Sequence, residues 1–90
     1  NNVAYFDSEK LTFPLFLRKW KYGDKMVPFG MKGSKLISDI LIDNKVDLFV
    51  KEDTYVVISA GKILWLVGIR SSNEFRITKS TKKILKMELC

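Results

Sequence analysis

The spacing of apolar positions predicts strands at both ends of the first quarter of the chain. Residues 3–6 combine apolar and aromatic side chains in a stretch that suits an edge strand. Residues 15–20 alternate as a half-buried strand does, so Phe16 and Trp20 share one face, and core packing is expected there. Glycine and proline then punctuate residues 22–33, which predicts a loop.

The apolar spacing changes to that of a helix directly after this loop. Ser34 can cap this helix by accepting a hydrogen bond from a free N–H group in its first turn. We expect the helix to end near Asn44. The apolar positions of this helix recur three and four residues apart, at Leu36, Ile37, Ile40 and Leu41. Residues 47–53 suit a second, weaker helical turn.

A β-hairpin is the clearest prediction in the second half of the chain. Residues 55–58 and 63–67 are β-branched, aliphatic or aromatic runs, and the segment between them includes Gly61, which adopts positive φ without strain. Because both runs are apolar throughout, we expect these strands to be buried on both faces.

The remaining residues predict a turn and two further strands. Residues 68–73 turn the chain, and residues 74–78 then alternate as a strand with Phe75 and Ile77 facing inward. Residues 79–83 suit a helical turn that leads into a final strand. The apolar positions of that strand are Leu85, Met87 and Leu89.

These elements predict a single α+β domain over residues 1–90, a small mixed β-sandwich or sheet with one short helix after the glycine loop. A chain of 90 residues with 47% hydrophobic side chains can bury a core of its own. Its longest apolar run, residues 63–67, is far too short to cross a membrane, so we expect no membrane partner. Because the chain does not begin with methionine, we interpret it as a piece of a longer protein.

The composition argues against catalysis within these residues. The chain has no histidine, which excludes histidine-based acid–base chemistry and ordinary zinc sites. Its one cysteine, Cys90, excludes an internal disulfide and has no neighbouring base to activate it as a nucleophile. Asp39 and Asp43 lie four residues apart on the predicted helix, where we expect a solvated face rather than a metal site. We therefore predict no catalytic residue, no metal and no cofactor here.

Positive charge is concentrated in two blocks of the chain. The net charge is +6 at pH 7, but residues 18–36 and residues 61–90 each carry +5, whereas residues 37–60 carry −3. If the fold brings the two basic blocks together, the face they form would attract a phosphate polyanion. A lysine-rich surface that is merely solvated is the alternative.

Residues 30–33, Gly-Met-Lys-Gly, have the composition of a phosphate-binding loop. Glycines allow a phosphate to approach the backbone closely, and the N-terminus of a following helix offers free N–H groups. The spacing differs from that of the Walker A loop of nucleotide-binding proteins. A glycine turn that leads into an ordinary helix is the alternative.

The order of residues in this region resembles a known family. Residues 18–46 read Arg18-x-x-x-x-Gly23-Asp24-x-x-x-Pro28-x-Gly30-Met31-x-Gly33-x-Lys35-x-x-Ser38-Asp39-x-x-Ile42-Asp43-x-Lys45-Val46. Residues 63–70 read Ile-Leu-Trp-Leu-Val-Gly-Ile-Arg, and residues 78–85 read Thr-Lys-x-Thr-Lys-Lys-x-Leu. These patterns are similar to the C-terminal domain of tRNA(Ile)-lysidine synthetase, and the similarity covers the chain from about Asp7 onward.

The resemblance implies a role in handling tRNA. Members of the family attach lysine to the wobble cytidine of an isoleucine tRNA, and they use ATP to activate the base. This chemistry, with ATP, lysine and Mg, belongs to an N-terminal domain whose SGG-x-DS loop does not occur in these residues. The C-terminal domain is similar to a module of the phenylalanyl-tRNA synthetase β chain and helps to hold the tRNA, chiefly its acceptor stem.

The resemblance therefore implies a tRNA-binding module of a cytoplasmic ligase that also contacts the other domains of its polypeptide, and it leaves a homodimer of the parent protein open. A-form RNA hides its base edges in a narrow major groove, so we expect contact with its phosphates and 2′-hydroxyls. The first candidates are Arg18, Lys25, Lys32 and Lys35, with Gly30 and Gly33 allowing close approach. The second candidates are Lys45, Arg70, Arg76 and Lys79.

Two aromatic residues and one competing function stay open at this point. Tyr22 and Phe29 lie among lysines, where they could pack in the core or stack on unpaired bases, whereas Trp65 is expected in the core. The competing function is a docking module that binds no RNA and packs on the other domains of its polypeptide, through an edge strand or through the tail.

Overall fold

Eight short strands and two α-helices make up most of the regular structure in the computed structural model, which describes residues 2–89. The strands are β1 (Val3–Asp7), β2 (Phe16–Lys19), β3 (Lys25–Met26), β4 (Lys35–Leu36), β5 (Tyr55–Ser59), β6 (Lys62–Leu66), β7 (Arg70–Ser71) and β8 (Ile84–Glu88). The helices are α1 (Ile37–Asp43) and α2 (Leu48–Glu52), and 3₁₀ turns cover Ser8–Lys10 and Asn73–Phe75. The predicted α+β class is confirmed.

The described strands pair antiparallel in three sheets. The largest has four strands in the order β2-β5-β6-β7, while β1 pairs with β8 and β3 pairs with β4. Strands β2 and β7 therefore lie at opposite edges of the four-stranded sheet, which separates their charged residues across the domain.

The predicted hairpin is formed by β5 and β6. Ala60 and Gly61 form its turn with φ values of 49° and 81°, as expected for a two-residue connection that matches the twist of the strands. Four consecutive residues of β6, Ile63, Leu64, Trp65 and Leu66, are all buried. The prediction that both strands are covered on both faces is confirmed for β6 but wrong at the start of β5, where Tyr55 is 39% exposed. The core position of Trp65 is confirmed.

The core consists of two apolar clusters that share the hairpin between them. The first contains α1 residues and Met26, and its buried members are Met26, Ile37, Ile40, Leu41, Val56, Ile63 and Leu66. The second lies under β1, and its buried members are Ala4, Phe6, Val57, Leu64, Trp65 and Phe75. Phe6 meets Trp65 edge to face, with ring centroids 6.5 Å apart, so the β1–β8 pair forms a layer over one face of the hairpin.

The start of α1 differs from the prediction. Ser34 does not cap the helix, because the chain first forms β4, in which Leu36 pairs with Lys25. The first N–H of α1, on Ile37, donates to the carbonyl of Asp24 over 2.8 Å. A long-range backbone contact therefore replaces the expected side-chain cap. The second helical turn is confirmed as α2, whose N-terminal N–H groups on Phe49 and Val50 donate to the Asp47 carboxylate.

The predicted strand at residues 74–78 is wrong. Ser72 accepts a hydrogen bond from Glu74 N–H through its hydroxyl and starts the 3₁₀ turn Asn73–Phe75. Phe75 is buried as expected, whereas Ile77 is 40% exposed. The helical turn expected at residues 79–83 is also absent from the described structure.

Two further predictions concern single positions. The side chain of Trp20 is half-buried against the first cluster, as expected, but Phe16 is 60% exposed and packs in neither apolar cluster. Cys90 lies outside the described residues. Within residues 2–89, no helix is long and apolar enough to span a membrane, and no group of acidic or cysteine side chains is arranged to hold a metal ion.

Candidate nucleic-acid interface

The glycine loop is fastened to the segment that follows β7. The N–H of Gly30 donates to the side-chain oxygen of Asn73 over 3.1 Å, and the side-chain nitrogen of Asn73 donates to the carbonyl of Met31 over 3.0 Å. The N–H of Phe29 also donates to the carbonyl of Ser71 over 2.9 Å. Residues far apart in sequence thus fix the loop from one side, and a single asparagine supplies two of the hydrogen bonds.

Two arginines lie beside this fastening. Nη2 of Arg70 donates to the carbonyl of Phe29 over 3.0 Å, and Nη1 of Arg76 donates to the carbonyl of Asn73 over 3.1 Å. Each guanidinium has five N–H donors, so these contacts leave most of its donors available for other acceptors. The structure therefore brings Arg70 and Arg76, both predicted candidates, to the glycine loop.

A groove of about 430 Å³ opens between β1 and the loop. Arg70 and Arg76 line it together with Tyr5 and Phe29, whose side chains are 52% and 54% exposed. Buried Trp65 forms part of its apolar wall. The groove thus combines guanidinium groups with solvent-facing aromatic rings.

Lysines continue the positive surface on the other side of the loop. A hollow of about 150 Å³ is lined by Lys25, Ser34 and Lys62, which places the start of β3 beside the hairpin turn. Nζ of Lys10 lies 3.4 Å from the carbonyl of Arg76. Lys10 and Lys62 were not among the candidates predicted from the sequence. Lys62 is the last residue of the predicted hairpin connection, which could have indicated its position, whereas no local signal connects Lys10 with Arg76.

We call this surface the loop face. Its members are Lys10, Lys25, Lys32, Lys62, Arg70 and Arg76, gathered around residues 28–34 and the Asn73–Phe75 turn. Glu74 is the acidic residue placed within it, where its carboxylate lies 3.4 Å from Nζ of Lys62. The loop face therefore draws cations from both basic blocks of the sequence.

Arg18 has a different environment. Its guanidinium forms a two-point ion pair with Asp24, at 2.8 Å from Nη1 to Oδ2 and 3.0 Å from Nη2 to Oδ1. The hydrogen bonds from Arg18 lower the pKa of Asp24, and the same interaction raises the pKa of Arg18. The Asp24 carboxylate also accepts a hydrogen bond from the N–H of Lys21 over 2.8 Å. Arg18 is thus engaged in fixing the turn before β3.

The other predicted cations are spread away from the loop. Lys35 forms an ion pair with Asp43 across α1, and Lys45 is exposed just after that helix, with a φ of 52°. Lys79 lies in an exposed turn that Thr81 connects to β1 through a 2.9 Å hydrogen bond to Asp7. Within residues 2–89, no hydrogen bond or ion pair joins the side chains of these three lysines to the glycine loop.

The two glycines of the loop differ in backbone conformation. Gly30 has a φ of 84°, a region that favours glycine, whereas the φ of Gly33 lies outside that region. A Cβ added at either position would meet no atom within 4 Å. The loop does not lead directly into a helix as expected, since β4 intervenes. The N–H groups of Phe29, Gly30 and Met31 donate to Ser71, Asn73 and Pro28 within the domain.

The aromatic residues left open by the sequence separate into two places. Phe29 lines the groove. Tyr22 instead packs edge to face on Trp20, with centroids 4.8 Å apart, and Nζ of Lys51 lies 5.6 Å from each ring. Tyr22 therefore belongs to a cluster beside α2 and not to the loop face.

Comparison with known proteins places this geometry in a family. A profile described as the TilS substrate C-terminal domain matches residues 15–88. The chain belongs to this family. It is 51% identical to a tRNA(Ile)-lysidine synthase from Parabacteroides distasonis over 92% of its own length and 19% of that protein. It is 44% identical to the synthase of the same name from Bacteroides thetaiotaomicron, over 92% of its own length and 20% of that protein.

Solved structures agree with the family assignment. A crystal structure of a TilS C-terminal domain superposes with a TM-score of 0.78 and 25% identity, over 100% of this chain and 72% of that one. An N-terminal fragment of the phenylalanyl-tRNA synthetase β-subunit from Pyrococcus horikoshii superposes with a TM-score of 0.78 and 21% identity, over 93% of this chain and 26% of that one. The second likeness concerns the fold alone. The chain spans about one fifth of the length of the curated relatives it matches.

Proposed function

We propose that this domain binds tRNA through the loop face and helps to hold the acceptor stem. The observation that carries the proposal is the convergence of Lys25, Lys32, Arg70 and Arg76 on one loop whose backbone is fixed by Asn73. Phosphate oxygens of a duplex are recognised by such cations and by backbone N–H groups. Because the fold holds the loop, the loop backbone needs little ordering when RNA binds.

The proposed interface is narrower than the set of candidates from the sequence. Arg70 and Arg76 move into the first rank, and Lys10 joins them because it lies beside Arg76. Lys62 is a neighbouring contact, since it shares its charge with Glu74. Arg18 and Lys35 move to a supporting role since their charges are engaged by Asp24 and Asp43. Lys45 and Lys79 are proposed as peripheral contacts for a ligand as large as tRNA.

The same proposal extends to the longer protein that the relatives represent. Those relatives carry the name tRNA(Ile)-lysidine synthase, and this chain corresponds to about one fifth of each. We propose that the parent protein is a cytoplasmic ligase that joins lysine to an isoleucine tRNA, with ATP, lysine and Mg bound by a different domain. In that arrangement this domain binds and orients the tRNA. Because it is linked to the catalytic domain, the two together bind tRNA more tightly than either does alone.

The test compares two double substitutions that remove the same charge. Lys25→Gln with Lys32→Gln removes two cations from the loop face. Lys19→Gln with Lys51→Gln removes two from the region of β2 and α2, at the opposite sheet edge from β7. We expect the first variant to bind tRNA about tenfold more weakly, since each lost phosphate contact removes a released counterion. The second variant should bind within about twofold of the unsubstituted chain at the same salt concentration, because long-range charge effects are screened.

The controls separate binding from folding. The loop-face variant changes two exposed side chains, so its melting temperature should remain within a few degrees of the original. Lys51 is half-buried, with its Nζ 5.6 Å from the rings of Trp20 and Tyr22, so the second variant should lose slightly more stability. Equal loss of binding in the two variants would mean that net charge alone attracts the RNA. Undiminished binding in the loop-face variant would remove the loop face from the proposed function.

A second candidate function is supported by a separate surface. Helix α2 exposes three consecutive apolar side chains, with Leu48 65%, Phe49 83% and Val50 55% exposed. Such a patch is typical of a protein–protein contact, here with other domains of the same polypeptide. Association with the separately expressed remainder of the protein that is insensitive to salt and lost in Phe49→Ser would support docking. This function can coexist with RNA binding, because α2 and the glycine loop involve different residues.

A further inference from the structure

The groove beside the glycine loop has a composition that duplex RNA does not require. Tyr5 and Phe29 each expose about half of their side chains there, at 52% and 54%. Duplex recognition uses phosphates and hydroxyls, for which lysines and arginines suffice. Exposed aromatic rings beside cations are instead typical of surfaces that stack unpaired bases.

The geometry points to a binding site for an unpaired nucleotide: we propose that the groove takes a nucleotide where an RNA duplex ends in a single strand. In this assignment the base stacks against Phe29 or Tyr5, and the adjoining phosphate lies by Arg70 or Arg76. The inference rests on the proposed function, because the loop face would first position the duplex beside the groove.

The size of the groove suits this occupant. Its volume of about 430 Å³ lies within the range of sites that hold small ligands. Buried Trp65 and half-buried Ile69 line the apolar wall of the groove. A flat base that packs against this wall would have one of its faces shielded from water. The walls contributed by β1 and by the loop are each held in place by backbone hydrogen bonds, which limits the ordering needed on binding.

The charge of the groove favours a nucleotide over an apolar peptide. Arg70 and Arg76 both line it, and the described residues that form its walls include no aspartate or glutamate. Arg70 retains guanidinium N–H groups beyond the one that donates to the carbonyl of Phe29, and Arg76 retains N–H groups beyond the one that donates to Asn73. Two cations without a carboxylate in the same groove are complementary to a phosphodiester.

Phe29 is the residue that tests the site most directly. It projects from the loop at the groove, while its backbone N–H and carbonyl are engaged by Ser71 and Arg70. Phe29→Leu keeps the backbone and an apolar side chain but removes the aromatic face. Tyr5→Leu does the same from β1 and serves as a second, independent variant.

The experiment measures affinity for three RNA hairpins of identical stem sequence, using the whole chain. One hairpin is blunt, one carries a four-nucleotide 3′ overhang, and one carries the same overhang with abasic sugars. We expect the overhang to strengthen binding about tenfold over the blunt stem, as expected for one stacked base. The abasic overhang should recover little of this gain, and Phe29→Leu should abolish it while leaving affinity for the blunt stem unchanged.

A fluorescent base gives a second readout. The base 2-aminopurine at the first overhang position loses fluorescence when it stacks on an aromatic ring, so binding should quench it in the unsubstituted chain but not in Phe29→Leu. Equal affinity for the blunt and overhang hairpins would overturn the site while leaving duplex binding intact. Equal loss of affinity for the blunt and overhang hairpins in Phe29→Leu would also overturn the nucleotide site. So would a Phe29→Leu variant that binds all three hairpins normally and is impaired only in association with the rest of the polypeptide. Failure to bind any hairpin would instead contradict the proposed function itself.

Discussion

The side-chain oxygen of Asn73 accepts a hydrogen bond from the N–H of Gly30 over 3.1 Å, across 43 positions of sequence. The same side chain donates to the next carbonyl of the loop, on Met31. The Asn73 side chain, together with the backbone hydrogen bonds from Phe29 to Ser71 and from Asn73 to Val27, holds the glycine loop beside Arg70 and Arg76.

Replacing Asn73 by Ala should loosen the loop without unfolding the domain. The substitution removes two partly exposed hydrogen bonds, which corresponds to about 1 kcal/mol of stability. We expect the Gly30 amide to exchange with solvent at least tenfold faster, as measured by NMR hydrogen exchange, and tRNA affinity to fall severalfold.

Asn44→Ala is the matched control for this prediction. Asn44 also bonds a backbone carbonyl through its side-chain nitrogen, at 2.7 Å from Ile40, but it lies at the end of α1. Its loss should lower stability by a similar amount and leave both the Gly30 exchange rate and the RNA affinity unchanged. A Gly30 amide that exchanges at its original rate in Asn73→Ala would show that the loop is held by other contacts.

Alanine substitutions at Gly30 and Gly33 separate the effect of backbone strain on stability from the effect of a close phosphate on tRNA binding. Gly30→Ala forces a Cβ into a φ of 84°, which costs about 1–2 kcal/mol although the space around it is open. Gly33→Ala meets neither strain of this kind nor a close neighbour, so its melting temperature should stay near the original. If a phosphate approaches Gly33 closely, Gly33→Ala should nevertheless bind tRNA more weakly. Unchanged binding in Gly33→Ala would mean that Gly33 serves the turn alone.

The ion pair between Arg18 and Asp24 should make stability depend on pH in the acid range. Hydrogen bonds from Arg18 lower the pKa of Asp24 below its ordinary value of 3.8, so folding favours the ionised carboxylate. The ionised Asp24 carboxylate contributes fully to folding stability at pH values above its ordinary pKa. This contribution is lost as the pH falls through the lower pKa of the folded state. Asp24→Asn should reduce the free energy of unfolding near pH 7 by about 1–3 kcal/mol, and urea denaturation would show this gap narrowing below pH 4.

A surface ion pair provides the comparison. Lys19 and Asp53 are 3.3 Å apart with side chains that are 54% and 78% exposed, so Asp53→Asn should change the free energy of unfolding by less than about 1 kcal/mol at any pH. An equal effect of both substitutions would contradict the structural role assigned to Arg18. A gain in tRNA affinity in Asp24→Asn that Asp53→Asn does not show would instead return Arg18 to the proposed interface, because Asp24→Asn releases its guanidinium.

The parts of the fold that the sequence predicted are those determined by nearby residues. The β5–β6 hairpin follows from two apolar runs and a glycine turn, and α2 follows from Asp47, whose carboxylate caps it. Ser34 was a reasonable cap on local grounds. The carbonyl of Asp24 takes that role from a distance, because it accepts the N–H of Ile37.

The candidate site was predictable in composition but not in arrangement. Charge and glycine content indicated Lys25, Lys32 and the loop. They could not show that Asn73 fastens the loop or that Lys10 reaches Arg76, since those contacts depend on pairing between distant segments. Arg18 appeared to be a free cation in the sequence for the same reason, because its partner becomes evident only in three dimensions.

The measurement that tests the central claim most directly is titration of this chain into fluorescently labelled tRNA and into a blunt acceptor-stem hairpin, at low and at physiological salt. If the loop face neutralises about four phosphates, saturable binding to both RNAs should weaken with a slope of roughly −3 in a plot of log affinity against log salt concentration. The slope should become shallower in the Lys25→Gln, Lys32→Gln variant. Absence of binding to either RNA at low salt, or binding that does not change with salt, would contradict recognition of RNA by the loop face.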